Sequence, residues 1–287
     1  MSESEIKELW QRIEEMPSSL EKKIFQTAKQ TCSRIGEVIS LKSFVDFSAH
    51  PTGQFLTVRI ENYVPNLRNK QELTAWMDTI LHTYQKMPDL TEVMKVKEPF
   101  AVFRVTTEKR MIEKKENGDY RHGWVRECAR PLNPKYDPWT QSLADYIMKQ
   151  QKNGEPIFPV DRQHMWKVAH EIFSGLTYTI QPYLRAKRDS VTGAFLRSST
   201  QKNRFGMPKL LTELVMEHEK KANNHVIRHF TRQELEDWYG FTTKEADYFG
   251  GWSQTDGANI AGQRYVKLPW QNYAPRLLIP NQLLVTA

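Results

Sequence analysis

Cysteine is scarce in this sequence: among 287 residues only Cys32 and Cys128 carry thiols, and they lie far apart. Two such residues are too few and too far apart to suggest a disulfide scaffold or a zinc site, so a reducing compartment is the simplest expectation. Long apolar runs are missing as well. No stretch approaches the roughly 20 apolar residues that a membrane span needs, and a soluble protein without membrane contact is expected. The opening segment MSESEIKELWQRIEEM is acidic and amphipathic, unlike the basic-then-apolar layout of a secretory signal. Internal repeats and low-complexity tracts are not evident. Acidic residues are the scarcer charge, 34 against 41 Lys and Arg, which leaves a formal net charge of +7 and a pI near 9.2. That balance suits a polyanionic partner without identifying one.

The pattern of apolar residues predicts the elements in order. Ile6, Leu9, Trp10 and Ile13 sit at helical spacing in residues 3–16, and Pro17-Ser18-Ser19 ends that helix and caps a second over about 19–32. A third helix is expected at about 34–42, its N-terminal N–H groups favouring an anion. Residues 55–60 alternate as a strand, and 70–87 read as a helix. Residues 99–109 and 123–132 read as a hairpin around Asn117-Gly118-Asp119. Helices are expected at about 138–151, 161–174 and 208–221. Between the last two, 175–208 is strongly basic and rich in turn residues, either a DNA-contacting loop or an exposed connection.

The residues 225–265, HVIRHFTRQELEDWYGFTTKEADYFGGWSQTDGANIAGQRY, are mainly helical in pattern and carry the side chains that suit phosphoryl transfer. His225 and Arg228 are three apart, so a helix presents them on one face. A guanidinium stays charged and bonds two phosphate oxygens at once. Gly250 and Gly251 break the helix before Trp252, and Tyr265 ends the stretch with a hydroxyl able to act as a nucleophile. Taken singly, each has a plainer reading as a cap, a core aromatic or a surface ion pair.

These residues resemble the catalytic domain of the tyrosine recombinase (integrase) family. The likeness rests on H-x-x-R-H from His225 to His229, G-G-W-S from Gly250 to Ser253, and R-Y at Arg264 and Tyr265. Residues 31–41, TCSRIGEVISL, are similar to the family signature T-G-x-R-x-x-E-x-x-x-L, with Cys32 where glycine is usual. Ala129 to Leu132 and Ile157-Phe158-Pro159 resemble a strand exit and a linker of the same family.

The resemblance implies an α+β, mainly helical fold with a small antiparallel sheet. It spans residues 1–265, with an insertion at about 65–98 and no room before Arg34 for the usual core-binding domain. It implies a catalytic set of Arg34, Lys109, His225, Arg228, Trp252 and Tyr265, with Glu37 in support. Lys109, at the end of a hairpin strand, is expected to protonate the leaving oxygen, and Lys114 or Lys115 would serve in a shifted register. The reaction is a transesterification using neither metal nor cofactor. The implied partners are double-stranded DNA, further copies of the chain forming a tetramer on it, and an accessory DNA-binding protein. Arg185, Lys187, Arg188, Lys202 and Arg204 are the expected DNA contacts. The setting is the cytoplasm of a prokaryotic cell, with a mobile element as the source. The tail 266–287 is expected to dock on a neighbouring protomer or fold back on its own core, and Tyr273 within it is the second candidate nucleophile. Three other functions stay open: a type IB topoisomerase-like enzyme, a DNA-binding protein without chemistry, and an unrelated protein that meets RNA or another protein.

Overall fold

The computed structural model describes residues 2–43, 54–65, 70, 71, 74, 97–106, 125–151, 154–202, 206–251 and 269–278. Helices and strands are both well represented in it. Three helices open the chain: α1 (Glu3–Glu15), α2 (Leu20–Gln30) and α3 (Ile35–Ile39). The Ser2 and Ser19 hydroxyls cap the first two, accepting from the N–H groups of Glu5 and Lys22. α1 buries Ile6, Leu9, Trp10 and Ile13, the face expected from their spacing.

A four-stranded sheet forms the centre, in the order β1 (Lys42–Ser43), β2 (Phe55–Asn62), β3 (Pro99–Thr106), β4 (Val125–Pro131). β1 runs parallel to β2, and the other neighbours are antiparallel. The expected hairpin is β3–β4, in unbroken register from Phe100 opposite Pro131 to Thr106 opposite Val125. Phe55 to Val58 are all buried in β2, as are Phe100 to Phe103 in β3, so this part of the sheet is covered on both faces. The helices α4 (Thr140–Lys149) and α5 (Arg162–Ile172) follow where expected. The helix expected at 70–87 and the region around Lys109 lie outside the described residues, apart from positions 70, 71 and 74.

Residues 208–221 form strands, which corrects the helix expected there. They are β8 (Pro208–Leu210), β9 (Thr212–Val215) and β10 (His218–Lys221), pairing with β7 (Arg197–Lys202), β6 (Tyr183–Ala186) and β5 (Thr177–Ile180). Leucines at 210, 211 and 214 fit helical spacing, but a helix there requires a surface on which to bury that stripe. Here Leu214 instead faces Leu184 across a ribbon, and both stay exposed.

The chain returns to the core with α6 (Val226–Asp237) and α7 (Thr243–Gly250). Gly251 ends α7 in the left-handed conformation at φ 68°, as the paired glycines led one to expect. Two short 3-10 segments, Trp270–Asn272 and Ala274–Leu278, lie against β4. Leu277 and Leu278 are each 1% exposed, so this part of the tail folds back on its own core. Ile279, Leu283 and Leu284 lie outside the described residues.

Candidate functional site

The turn between α2 and α3 carries Arg34 and closes at Cys32. α2 ends in a Schellman turn, with Ser33 N–H bonding the Ala28 carbonyl at 2.9 Å and Cys32 N–H that of Lys29 at 3.1 Å. That turn needs one left-handed residue, and Cys32 fills the place at φ 49°. Its fully buried Sγ lies 3.6 Å from the Arg228 carbonyl. Burial pushes the thiol up to about 11, which keeps it protonated and inert.

Glu37 joins the two arginines. Its carboxylate, 3% exposed, accepts from Arg34 Nη1 at 2.7 Å and from Arg228 Nη1 at 3.2 Å. It also accepts from the Arg34 backbone N–H at 2.9 Å, which ties the residue that opens α3 to the same carboxylate. Arg34 and Arg228 come from opposite ends of the chain, the latter 191 residues from Glu37. Arg34 remains about a quarter exposed, whereas the Arg228 side chain is 4% exposed. Desolvation lowers Arg228 to about 10, partly opposed by Glu37, and it stays charged at neutral pH.

His225 stands at the start of α6, one turn before Arg228, on the solvent side of this cluster. Desolvation, followed by the charges of Arg34, Arg228, Lys220 and Arg162, holds its imidazole below the ordinary value. A neutral ring with a free lone pair suits proton acceptance. His229 is lowered in the same way, by desolvation and then by His225 and nearby cations. Arg162 and Lys220 were missed in the sequence. Arg162 opens α5, where its Nε lies 4.0 Å from the point a Cβ on Gly36 would occupy. No motif marks either residue; only the fold brings them beside His225.

A buried arginine ties this cluster to the end of α7. Arg126 on β4 donates to the carbonyls of Thr31 and Phe249, and to Ser33 Oγ at 2.6 Å. The Arg34 turn and the residues leading to Gly250-Gly251 are therefore pinned to one guanidinium. Trp252, Arg264, Tyr265 and Lys109 lie outside the described residues.

Tyr273 is not available as a nucleophile, which corrects the second candidate. Its side chain is fully buried, its oxygen accepting from Ala129 N–H at 3.1 Å and donating to the Glu127 carbonyl at 2.9 Å. Burial raises its phenol well above the ordinary value. The hydroxyl satisfies the outer edge of β4 and carries no exposed oxygen.

Of the expected DNA contacts, Arg185 is held by Glu213 at 2.5 Å. Lys187, Arg188 and Lys202 lie on the ribbon formed by β6 to β9, and Arg204 lies outside the described residues. Among the described residues, no group of three or more His, Cys, Asp or Glu side chains could hold a metal ion. No helix there is long and apolar enough to cross a membrane. Compared with known proteins, the chain matches no family model, no curated protein and no solved structure.

Proposed function

We propose that this chain is a site-specific DNA recombinase or integrase that works through a 3′-phosphotyrosine intermediate. The observation that carries the reading is the Glu37 bridge, which draws together the two arginines of the sequence motif. The charges of Arg34, Arg228, Lys220 and Arg162 all act on His225, more cations than the Glu37 carboxylate neutralises. Such a cluster is suited to an anion that develops further negative charge as it reacts.

In the proposed step the Tyr265 oxygen forms a bond to a DNA phosphorus, and the bond from that phosphorus to the 5′ oxygen breaks. The tyrosine proton passes to His225, and Lys109 supplies a proton to the leaving 5′ oxygen. Arg34 and Arg228 hold the nonbridging oxygens, while Glu37 keeps the guanidinium groups in position. The phosphodiester energy is retained in the tyrosyl ester, so attack by a 5′ hydroxyl reverses the step. The setting proposed is duplex DNA in a prokaryotic cytoplasm, with several copies of the chain, four in the full assembly, on the DNA.

One observation favours a second reading, a DNA-binding protein that performs no chemistry. Arg228 is 4% exposed, and its Nη1 is engaged with Glu37. Covalent trapping separates the two. With nicked duplexes and EDTA, the catalytic reading predicts a detergent-stable adduct that disappears in Tyr265→Phe and falls by about 10²-fold or more in Arg34→Ala. DNA binding without any adduct would establish the second reading.

A further inference from the structure

The ribbon from Gln181 to Lys221 stands apart from the rest of the molecule, because none of its described residues is buried. It holds ten of the fourteen large hydrophobic side chains exposed among the described residues. Two-stranded ribbons without a core are marginal in water, so a partner surface is implied.

Its construction is continuous. Thr177 pairs with Lys221, Ile180 with His218, Tyr183 with Val215 and Ala186 with Thr212, all in one register. Beyond that stem the chain forks. Lys187 N–H bonds the Leu211 carbonyl, Leu211 N–H that of Leu196, and Leu196 N–H that of Lys187, at 2.8, 3.0 and 3.0 Å. This ring of three bonds joins the stem to two short hairpins, one closed at Arg188 and Phe195, the other formed by β7 and β8.

The charge of this head favours a polyanionic partner. Lys187, Arg188, Arg197, Lys202 and Lys209 meet one carboxylate, Asp189. That carboxylate is consumed by its own turn, accepting from Val191 N–H, Thr192 N–H and the Thr192 hydroxyl. A second copy of this chain, itself at +7, is a poor match for such a surface. A two-stranded ribbon does fit the major groove of B-DNA, and small apolar and Thr side chains there contact thymine methyls. Leu184, Ala186, Thr212 and Leu214 share one face of the stem and supply such groups.

We infer that this ribbon is a duplex-gripping arm, lying in a DNA groove with its lysines on the flanking phosphates, separate from the reacting centre. Its root leads along the chain into that centre, since β10 ends at Lys221 and α6 begins at Val226. The inference rests on the DNA reading above but assigns affinity, rather than chemistry, to the arm.

The test uses the triple variant Lys187→Gln, Lys202→Gln, Lys209→Gln and a fluorescein-labelled 30-base-pair duplex of mixed sequence. Binding is measured by anisotropy at several salt concentrations. Each phosphate contact contributes about 0.9 to the slope of log affinity against log salt, so the slope should fall by about 2 to 3. Affinity near physiological salt should drop on the order of 100-fold. Arg34→Ala, outside the arm, should leave the salt slope within about 1 of the wild-type value. An unchanged slope in the triple variant overturns the arm and leaves the catalytic reading standing. Failure of the wild type to bind the duplex overturns both. Loss of self-association in Leu184→Ser, Leu214→Ser, seen by sedimentation with duplex affinity unchanged, would assign the arm to a second copy and overturn the inference.

Discussion

Replacing Glu37 by Gln changes almost no volume and removes one charge, which makes it a sharp probe of the bridge between Arg34 and Arg228. The carboxylate accepts three hydrogen bonds, at 2.7, 2.9 and 3.2 Å, two of them from guanidinium groups. A carboxamide keeps one accepting oxygen, and its NH2 must turn toward at least one N–H donor. Hydrogen bonds to charged groups contribute about 1.5–3 kcal/mol each, and removing one partner of a buried ion pair costs about 3–5 kcal/mol. Arg34 is about a quarter exposed and recovers some hydration, so the lower end, about 3 kcal/mol, is expected. In a chain of this size that corresponds to a fall in Tm of roughly 6–12 °C. Urea unfolding followed by fluorescence of the eight tryptophans measures the loss. A double-mutant cycle with Arg228→Met isolates the pair, with an expected coupling of about 1–3 kcal/mol. A Glu37→Gln protein within about 0.5 kcal/mol of wild type would refute the bridge.

Three further outcomes are expected. Tyr273→Phe strands the Ala129 N–H and the Glu127 carbonyl and should cost about 1–3 kcal/mol by urea unfolding; adduct formation in the folded fraction should be unaffected. Lys29→Met leaves the Glu234 carboxylate buried without the ammonium now 3.1 Å away, an expected loss of about 3–5 kcal/mol. Adding Glu234→Leu should restore part of that loss, and a double variant no more stable than Lys29→Met would contradict it. Stability should also fall as pH drops from 7 through 6.5, the ordinary histidine value. His225 and His229 resist protonation in the native state, so the unfolded chain binds more protons in that window. His225→Gln, His229→Gln should flatten the pH profile between 5 and 7, which urea midpoints at each pH can check.

Local signals made much of the fold legible. The apolar spacing of Ile6, Leu9, Trp10 and Ile13 marked the buried face of α1, and the turn residues Asn117-Gly118-Asp119 between the runs 99–109 and 123–132 marked the central hairpin. Gly251 stopped α7 where a left-handed residue was needed. The ribbon was not legible in the same way, because leucines at 210, 211 and 214 satisfy a helical stripe and a strand equally well. What decides between them is the partner, and the partner strand lies about thirty residues earlier, with Tyr183 opposite Val215. At the candidate site, the order of the motif residues singled out Arg34, Glu37 and Arg228, and the fold joins these three through the Glu37 carboxylate. Arg162 and Lys220 belong to no motif, and their charges act on His225 only through the fold. Tyr273 misled for a related reason: a tyrosine near a chain end reads as available, while the hydrogen bonds that bury it come from a strand 146 residues earlier.

The most direct measurement is peptide mapping of the covalent adduct. The protein is incubated with a nicked duplex in EDTA, the DNA is digested to a residual nucleotide, and tryptic peptides are identified by mass spectrometry. Cleavage after Arg264 and Lys267 separates Tyr265 from Tyr273, which falls in the peptide ending at Arg276. Phosphonucleotide on the Tyr265 peptide, absent from Tyr265→Phe and strongly reduced in Arg34→Ala, is the predicted result. Modification of another residue, or no adduct from a protein that binds the duplex, would contradict the proposed chemistry.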